Sequence, residues 1–440
     1  MVQISYYPRV LIVMMSKIKA ADPCNLLIRM QFGEWPKNNL AQIHASADPD
    51  GQGEFCGQYY RLQCSDRYFG ALFHRMRAGV FDMVVMNTVQ EHDSARSNNR
   101  FRKVFDFINK RFGDWLIRYG LWEMIFRVRL STQIEKFVKE FKPDIIYCQG
   151  YSLGFISLPM LIAQRFKIPI CYQTTDDWPS YTCKGFPMSW FLRRSTQQLI
   201  SKASLRMAFG EKMQRLYESR YGEDFDVTYH LDDPQRFLVN YDVKTDLAFD
   251  SKQYRIVYTG SLALRRYEAL QDLLVAVRLL LNINLKIQID VYCSGLPKDL
   301  PKELLDASEV VFLPLPSHDN LPRILSTASI LFLPESFSVA PELIEYAISS
   351  KAHLYMLSGK PILVYGPPCS GTVDYAKTAG WGCVITERST LMLRDIIVEM
   401  FMEEEWIQQL RANAEKCIHR HHDLYTGQQH FHRRLSSVVN

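Results

Sequence analysis

Two serines and a lysine in the second half of the chain form a candidate seat for a phosphate group. Ser349, Ser350 and Lys351 open a short helical stretch that ends before the apolar run Ile362–Tyr365. A helix N-terminus carries partial positive charge and free N–H groups, and serine hydroxyls can cap it. Because a lysine in the first turn adds a full charge, this stretch suits a phosphate or diphosphate. The alternative is an ordinary helix-to-strand turn in an α/β sheet.

A second candidate phosphate turn follows the predicted strand Arg255–Thr259. Gly260 and Ser261 form a tight turn there, and glycine lets the backbone approach a ligand closely. Arg265 and Arg266 fall in the first turn of the helix predicted to follow. Arginine pairs well with phosphate oxygens because its planar fork matches their geometry. Since both cationic helix starts lie in the same predicted lobe, we expect them to converge on one anion.

Two adjacent carboxylates, Asp176 and Asp177, follow the predicted strand Ile168–Gln173. Ligands of parallel α/β sheets lie beyond the carboxyl ends of the strands. A carboxylate there can act as a general base or bind a ligand hydroxyl, so we interpret both residues as candidate catalytic groups. The alternative is a helix N-cap beside a solvated acid.

Candidate metal ligands are few and poorly spaced. The Asp-x-Asp pairs at Asp48–Asp50 and Asp224–Asp226 resemble those used in metal-dependent sugar transfer, but neither follows a convincing buried strand. His419, His421 and His422 cluster near the C-terminus, where we interpret them as a solvated helix end. We therefore expect no metal and no cofactor.

Composition places the chain among ordinary globular proteins. Its 440 residues are 47% hydrophobic and 22% charged, and the net charge of +5 is too small to indicate nucleic-acid binding. The ten cysteines are scattered, which is typical of reduced thiols in a cytosolic protein. The longest uncharged stretch, Ile145–Gln164, contains turn residues and does not predict a membrane span. We expect a cytoplasmic protein without a signal peptide.

One segment, residues 96–130, differs from the rest in charge. It holds nine basic and three acidic residues, a local balance of +6, with eight aromatic residues interleaved. A basic, aromatic-rich helical segment can lie on an anionic membrane face, so peripheral membrane contact is one interpretation. A core-facing aromatic stripe with a solvated basic face is the other.

Apolar runs of strand length alternate with helical patterns along most of the chain, which predicts doubly wound parallel sheets. The predicted elements include strands at Phe81–Met86, Leu205–Phe209 and Ile362–Tyr365, and helices at Leu264–Leu281 and Leu391–Cys417. The polar region Tyr221–Gln253 contains a domain linker. We predict an N-terminal Rossmann-like lobe over residues 1–235 with a basic insert at 96–140, and a C-terminal lobe over 236–420. A tail at 421–440 crosses back to the first lobe in this prediction. The default ligand site is the cleft between the lobes.

The segments Ile330–Phe337 (ILFLPESF), Ser349–Gly371 (SSKAHLYMLSGKPILVYGPPCSG) and Tyr375–Ile385 (YAKTAGWGCVI) resemble the donor lobe of retaining GT-B glycosyltransferases. The similarity is to glycosyl transferases group one, or family four, of the bacterial polysaccharide type. VYTGSL at Val257–Leu262 looks like the first strand and turn of that lobe, and DDWP at Asp176–Pro179 like the acceptor-side loop after a late strand of the N-terminal lobe. The resemblance implies a nucleotide-sugar donor in the C-terminal lobe, a glycan or lipid-linked acceptor in the N-terminal lobe, and no required metal.

The resemblance also implies roles for individual residues. Members of the family hold the donor diphosphate with an arginine and a lysine, which match Arg265 or Arg266 and Lys351. The family's two donor-side glutamates fall on Leu354 and Tyr346 here, so both carboxylates are missing. The remaining candidates for contact with the donor sugar or ribose are Glu335, Glu342 and Glu345.

We therefore expect a hexosyltransferase that retains anomeric configuration and builds a polysaccharide or glycolipid. The missing glutamates keep a non-catalytic GT-B protein that binds a sugar or a partner as an alternative. A nucleotide-sugar epimerase on the same architecture is a further one. The nucleotide, the sugar and the acceptor are left open.

Overall fold

The computed structural model describes residues 6–18, 25–46, 55–68, 127–182, 185–238, 254–283 and 285–439. The chain divides into two compact units, Met1–Thr228 with Gln428–Asn440, and Tyr229–Gly427. The predicted strand Phe81–Met86 and most of the basic segment, residues 96–126, lie outside the described residues.

The first unit contains a seven-stranded sheet in the order β3-β2-β1-β4-β5-β6-β7, with every pairing parallel. Its strands are β1 (Val10–Val13), β2 (Leu40–His44), β3 (Gln58–Arg61), β4 (Ile145–Cys148), β5 (Ile170–Thr174), β6 (Leu205–Phe209) and β7 (Asp226–Thr228). The central strands are short apolar runs whose side chains are all buried, as expected for a sheet covered on both faces.

Helices connect these strands. They are α1 (Leu26–Gln31), α2 (Thr132–Phe141), α3 (Leu153–Phe166), α4 (Trp178–Tyr181), α5 (Met188–Lys202) and α6 (Glu211–Tyr221), with 3₁₀ turns at Lys37–Asn39 and Cys64–Asp66. Ser131 and Ser152 cap α2 and α3 by accepting backbone N–H groups at 3.2 Å each. Such caps satisfy donors that the helix leaves unpaired and fix where each helix begins.

The second unit contains a six-stranded parallel sheet in the order β10-β9-β8-β11-β12-β13. Its strands are β8 (Tyr254–Thr259), β9 (Ile287–Cys293), β10 (Val310–Pro314), β11 (Ile330–Pro334), β12 (Ile362–Tyr365) and β13 (Cys383–Ile385). The chain order reverses between β8 and β11, so this sheet is doubly wound. Ligands of such sheets bind beyond the carboxyl ends of the strands at the reversal.

Eight helices of the second unit lie in its described part: α7 (Gln235–Leu238), α8 (Tyr267–Leu280), α9 (Lys302–Leu305), α10 (Leu321–Ser326), α11 (Lys351–Leu357), α12 (Gly371–Ala379), α13 (Thr390–Met402) and α14 (Glu404–Cys417). Shorter turns are the 3₁₀ helices Leu281–Ile283 and Pro341–Leu343 and the π-helix Ile418–His422. Apolar side chains from α8 and α13 pack with β8 and β9 in one core cluster.

The last helix, α15 (Leu424–Ser437), extends into the first unit, to which residues 428–440 belong. The ring of Phe431 packs edge-on against Phe32 with centroids 4.9 Å apart. The amide of Gln428 donates to the carbonyl of Met30 at 2.6 Å. These contacts tie the end of the chain to α1. No helix in the described part of the chain combines the length and apolarity needed to cross a membrane.

Two helix predictions were wrong in detail. The single helix predicted over Leu391–Cys417 is two helices, because Glu403 between them leaves the helical conformation with φ −98° and ψ 75°. The helix predicted from Leu264 begins at Tyr267, because Leu264 and Arg265 adopt positive φ values of 57° and 56°. The strands predicted at Leu205–Phe209 and Ile362–Tyr365 are confirmed to the residue.

Candidate functional site

The chain reversal in the second sheet brings two site residues together. Gly260 directly follows β8, and Glu335 directly follows β11. The two strands pair in parallel, with Ile256 opposite Ile330, so their carboxyl ends lie side by side. This is the position at which a doubly wound sheet binds its ligand.

Gly260 and Lys351 are in close contact. A Cβ atom on Gly260 would lie 3.0 Å from Cδ and 3.4 Å from Nζ of Lys351, and Gly260 has a φ of 131°. Only glycine meets both demands without strain. Lys351 is the first residue of α11, and its Nζ lies 5.6 Å from the ring centroid of Tyr258 on β8. The lysine ammonium is thus placed over the phosphate turn predicted from the sequence.

Arg266 enters the same site from the N-cap position of α8. Its Nη2 and Nε donate to Glu335 Oε2 at 3.1 and 3.3 Å. Glu335 is buried, and its Oε1 accepts the hydroxyl of Thr372 at 2.9 Å. The Thr372 hydroxyl in turn accepts the backbone N–H of Ser349 at 2.9 Å. One network therefore joins β11, α8, α12 and the loop before α11.

Lys351 has a much lower pKa than an ordinary lysine. Burial and the neighbouring Arg266 lower the pKa of Lys351 to about 7, while Glu335 acts in the opposite direction. In the described residues, Lys351 forms no ion pair with a carboxylate. An anion bound here would compensate charge that the protein itself leaves only partly balanced.

Arg265 lies apart from this site, although the sequence provided no reason to prefer Arg266 over Arg265 as a phosphate ligand. Its side chain is 55% exposed and forms an ion pair with Glu268. The expectation that Arg265 and Arg266 both occupy the first turn of a helix was wrong, because the positive φ of Arg265 turns the chain before α8 begins. Non-glycine residues in this conformation store strain, which commonly accompanies functional loops.

The three serines predicted for the phosphate site make few side-chain contacts there. Ser261 is exposed, and its hydroxyl accepts the N–H of Ala263 at 3.1 Å. Ser350 occupies the N-cap of α11, but its side chain makes no capping hydrogen bond. The hydroxyl of Ser349 accepts the N–H of Lys351 at 3.4 Å, a long contact.

Among the candidate glutamates, Glu335 is bonded into this network. Glu345 is half-buried after the 3₁₀ helix Pro341–Leu343, and its carbonyl oxygen lies 3.1 Å from the Cβ position of Gly371. Leu354, which matches a family glutamate, is buried in an apolar cluster.

Three residues of the site were not predicted: Tyr258, Gly366 and Thr372. A Cβ on Gly366 would lie 2.7 Å from the Cβ of Glu335, so glycine is needed there for close approach. A glycine directly after a predicted strand was a readable signal for Gly366. Thr372 had no comparable signal, because its partner Glu335 lies on another strand.

The two adjacent carboxylates of the first unit, Asp176 and Asp177, differ in the number of hydrogen bonds that they accept. Asp177 is buried and accepts both Nη atoms of Arg220 at 2.6 and 2.9 Å. Ser180 and Tyr217 also donate to Asp177, at 2.5 and 3.3 Å. With four donors the carboxylate has little remaining capacity for a ligand.

Asp176 retains that capacity. Its carboxylate receives a long hydrogen bond of 3.4 Å from the hydroxyl of Thr175, and burial raises the pKa of Asp176. Tyr151, in the loop after β4, accepts the N–H of Thr175 at 3.1 Å. At the carboxyl ends of β4 and β5, Thr175 thereby links Tyr151 to Asp176.

No group of three or more metal-ligating side chains is placed for a metal ion among the residues the structure describes. Asp226 forms an ion pair with Arg434, and Asp48–Asp50 lies outside the described ranges. The interpretation of His422 as solvated was wrong, because its ring is buried. Its Nε2 lies within hydrogen-bond distance of the Tyr375 hydroxyl, at 2.9 Å. His419 is exposed.

Comparison with solved structures identifies the fold. No family model and no curated protein matches the sequence. Solved structures match nearly the whole chain, and these neighbours are GT-B glycosyltransferases. Together with the two parallel sheets, they show that this chain has the GT-B fold.

Three neighbours illustrate the similarity. Anabaena HepE, solved in complex with UDP-glucose, has 14% identity and a TM-score of 0.57, covering 98% of this chain and 100% of that one. Sucrose-phosphate synthase of Thermosynechococcus elongatus has 11% identity and a TM-score of 0.60, covering 98% and 99%. WaaG, a glycosyltransferase involved in lipopolysaccharide biosynthesis, has 13% identity and a TM-score of 0.51, covering 96% and 98%.

Proposed function

We propose that this protein is a glycosyltransferase that moves a hexose-type sugar from a nucleotide-sugar donor to a glycan or lipid-linked acceptor. The observation that carries the proposal is Lys351 over Gly260, beside Arg266, at the chain reversal of the second sheet. The UDP-glucose complex of HepE, a structural neighbour, supports a donor of this class.

Lys351 and Arg266 hold the donor diphosphate in this proposal. As the glycosidic bond of the donor breaks, negative charge develops on the departing diphosphate. Fixed cations stabilise that charge, and one preorganised contact can lower the barrier by about 3 kcal/mol. The proposal requires no metal, because the two side chains supply the positive charge. Gly260 leaves room for the Lys351 side chain to lie against the turn, where its ammonium can meet the diphosphate.

Glu335 has two roles in the proposal. It fixes the guanidinium of Arg266 through two hydrogen bonds to Oε2, and Oε1, which accepts one hydrogen bond from Thr372, can accept a further one from a sugar or ribose hydroxyl. Glu345 remains a second candidate for ribose contact. This assignment places the donor sugar beside β11.

Asp176 is the proposed acceptor-side base, with Asp177 as its structural support. Asp176 orients or deprotonates the acceptor hydroxyl, whereas Asp177 anchors the loop to Arg220. We infer transfer with retention by a front-face route in which the leaving phosphate assists, so no protein nucleophile is assigned.

The proposed setting is the cytoplasmic face of a membrane, where a polysaccharide or glycolipid is built. The +6 balance of residues 96–130 supports peripheral contact with anionic lipid. Flotation with neutral and anionic liposomes tests this point for a variant in which the arginines of the segment are replaced by glutamine. Equal recovery of wild type and variant with anionic liposomes would count against it.

A screen of nucleotide sugars tests the donor assignment. We expect calorimetry to detect binding of at least one nucleotide sugar, and donor hydrolysis to follow for the same compound. Lys351→Ala is expected to weaken binding by about tenfold or more, since hydrogen bonds to charged groups contribute about 1.5–3 kcal/mol. Lys377→Ala, an exposed lysine on α12, is the matched control.

The screen also separates the alternatives. The buried Leu354 at a family glutamate position favours a non-catalytic binder as the second candidate. That candidate predicts no turnover with any donor and acceptor pair. Epimerisation of the donor without an acceptor would instead identify the epimerase. Unchanged affinity in Lys351→Ala would remove Lys351 from the donor site.

A further inference from the structure

The start of α5, in the first unit, and Phe186 just before it expose three large aromatic side chains. Phe186 is 79% exposed, Trp190 52% and Phe191 49%. The rings of Trp190 and Phe191 lie edge to face with centroids 5.8 Å apart. We call these three residues the aromatic tip. Single exposed apolar residues are common, but adjacent large aromatics mark a surface that binds something.

Packing of α5 does not require these aromatic rings. The helix buries a separate face formed by Met188, Leu192, Thr196, Leu199 and Ile200. These positions recur at helical spacing and supply the contact with the core. The aromatic tip therefore lies on the solvent side of an already amphipathic helix, where folding alone gives no reason for large apolar rings.

The segment that carries the aromatic tip has charges of one sign only. Arg193 and Arg194 follow within one turn and are exposed. The guanidinium of Arg194 lies 5.6 Å from the ring centroid of Trp190. Residues 184–202 contain four basic side chains and no acidic one. A surface of this composition is complementary to an anionic partner.

We propose that the aromatic tip, with Arg193 and Arg194, is a contact surface for an anionic lipid bilayer. Tryptophan favours the boundary between headgroups and acyl chains, where its ring is buried and its N–H stays hydrated, and phenylalanine buries its ring on the apolar side of that boundary. Basic residues beside such rings bind the phosphates of anionic headgroups. The aromatic tip enters the interface and the two guanidinium groups lie at the level of the phosphates.

The aromatic tip is close in sequence and space to the proposed acceptor site. Helix α4 begins at Trp178, two residues after Asp176, and packs against α5. Bilayer contact at α5 would bring the carboxyl end of β5 near the membrane surface, from which a lipid-linked acceptor can be supplied. This link to the acceptor rests on the proposed function, whereas the bilayer contact itself does not.

Co-sedimentation with vesicles tests the proposal on the full chain. We expect wild type to bind phosphatidylcholine vesicles that contain phosphatidylglycerol more strongly than phosphatidylcholine alone. The variant Phe186→Ser/Trp190→Ser/Phe191→Ser is expected to lose more than about tenfold in partitioning, because three large rings no longer leave water. Arg193→Gln/Arg194→Gln should lose the preference for anionic lipid.

The matched control replaces exposed apolar residues of the second unit, Leu391→Ser/Met402→Ser/Tyr425→Ser, and should bind vesicles like wild type. Thermal melts check that each variant is folded. A second measurement uses brominated phosphatidylcholine, whose quenching of tryptophan fluorescence should decrease in Trp190→Phe while partitioning is kept. Absence of that decrease would contradict insertion of Trp190.

Three outcomes overturn the proposal. Wild type that binds neither vesicle, or an aromatic variant that binds like wild type, excludes the aromatic tip as the lipid contact. A change of oligomeric state in the aromatic variant, with no vesicle binding by wild type, would identify a protein interface instead. Nucleotide-sugar affinity, measured in parallel, should be unchanged in every variant. If wild type bound no nucleotide sugar, the proposed function would be overturned, but the vesicle result would still stand.

Discussion

The guanidinium of Arg266 donates to the buried carboxylate of Glu335 at 3.1 Å, beside a lysine that no carboxylate in the described residues pairs with. Arg266 arrives from the start of α8, and Glu335 from the end of β11. Their pairing fixes one cation of the proposed donor site before any ligand binds. Lys351 then supplies the charge that a ligand would complete.

The pair Arg266 and Arg265 offers a matched comparison. Arg266→Ala should lower the free energy of unfolding by about 3 kcal/mol, because Glu335 is left buried and unpaired. Arg265→Ala should change it by less than about 0.5 kcal/mol, since the Arg265 side chain is 55% exposed and its ion pair is screened by water. Urea denaturation checks both values. Equal effects of the two substitutions would contradict the separation of the two arginines.

Binding of a nucleotide sugar should depend on pH through Lys351. The pKa of Lys351 is lowered to about 7, so its charge is present below that pH and is lost above it. A nucleotide diphosphate-sugar keeps its own charge over this range. Affinity should therefore fall as pH rises above about 7, by at most about tenfold per pH unit. Calorimetry in buffers of different ionisation enthalpy should show proton uptake on binding.

Lys351→Met is the control for this pH dependence. It should bind weakly at every pH and take up no proton. Wild-type affinity that stays constant across the same range would mean that Lys351 does not contact the anion.

The two adjacent carboxylates should respond differently to the same substitution. Asp177→Asn breaks a buried ion pair with Arg220 and should cost about 3 kcal/mol of unfolding free energy. Asp176→Asn should leave stability nearly unchanged and lower turnover by about a hundredfold, as expected for loss of a general base. Urea denaturation and a transfer assay measure the two effects. Unchanged turnover in folded Asp176→Asn would remove it from the catalytic site.

A stack of buried histidines in the second unit should make the protein sensitive to acid. The ring of His353 lies 5.2 Å from that of His230 and 5.8 Å from that of His422. Burial lowers the pKa of His230 to about 4 and that of His422 to about 3, and lowers the pKa of His353 strongly. The neighbouring rings, with His318 and His421, add to these shifts.

The sign follows from proton binding. The unfolded chain binds protons near pH 6.5, whereas the folded rings stay neutral until about pH 4 or below. Stability should therefore decrease as pH falls from about 6.5 to about 4, by at most about 1.4 kcal/mol per pH unit for each histidine. Urea denaturation at several pH values measures the slope. His353→Phe should reduce it, and a slope equal to that of wild type would exclude His353.

Much of the fold was readable because parallel strands in covered sheets are short apolar runs. β6 and β12 were predicted to the residue, and most other described strands to within about two residues. β7 was missed, because Asp226–Thr228 is polar and half-buried at the edge of the sheet. The break at Glu403 was missed because helical spacing of apolar residues continues on both sides of it.

Local sequence patterns were enough to predict the residue types of the proposed donor site, since Gly260, Arg266 and Lys351 all stand at predicted strand ends or helix starts. Tertiary structure alone decided that Arg266, not Arg265, joins Lys351, because positive φ at Arg265 turns its side chain toward Glu268. It also decided that the Asp177 carboxylate is paired with Arg220, whereas the Asp176 carboxylate can still accept hydrogen bonds from a ligand. In each of these two pairs, one residue binds a partner from a distant part of the chain: Arg266 binds Glu335, and Asp177 binds Arg220. The local spacing of residues in the sequence contains no information about such partners.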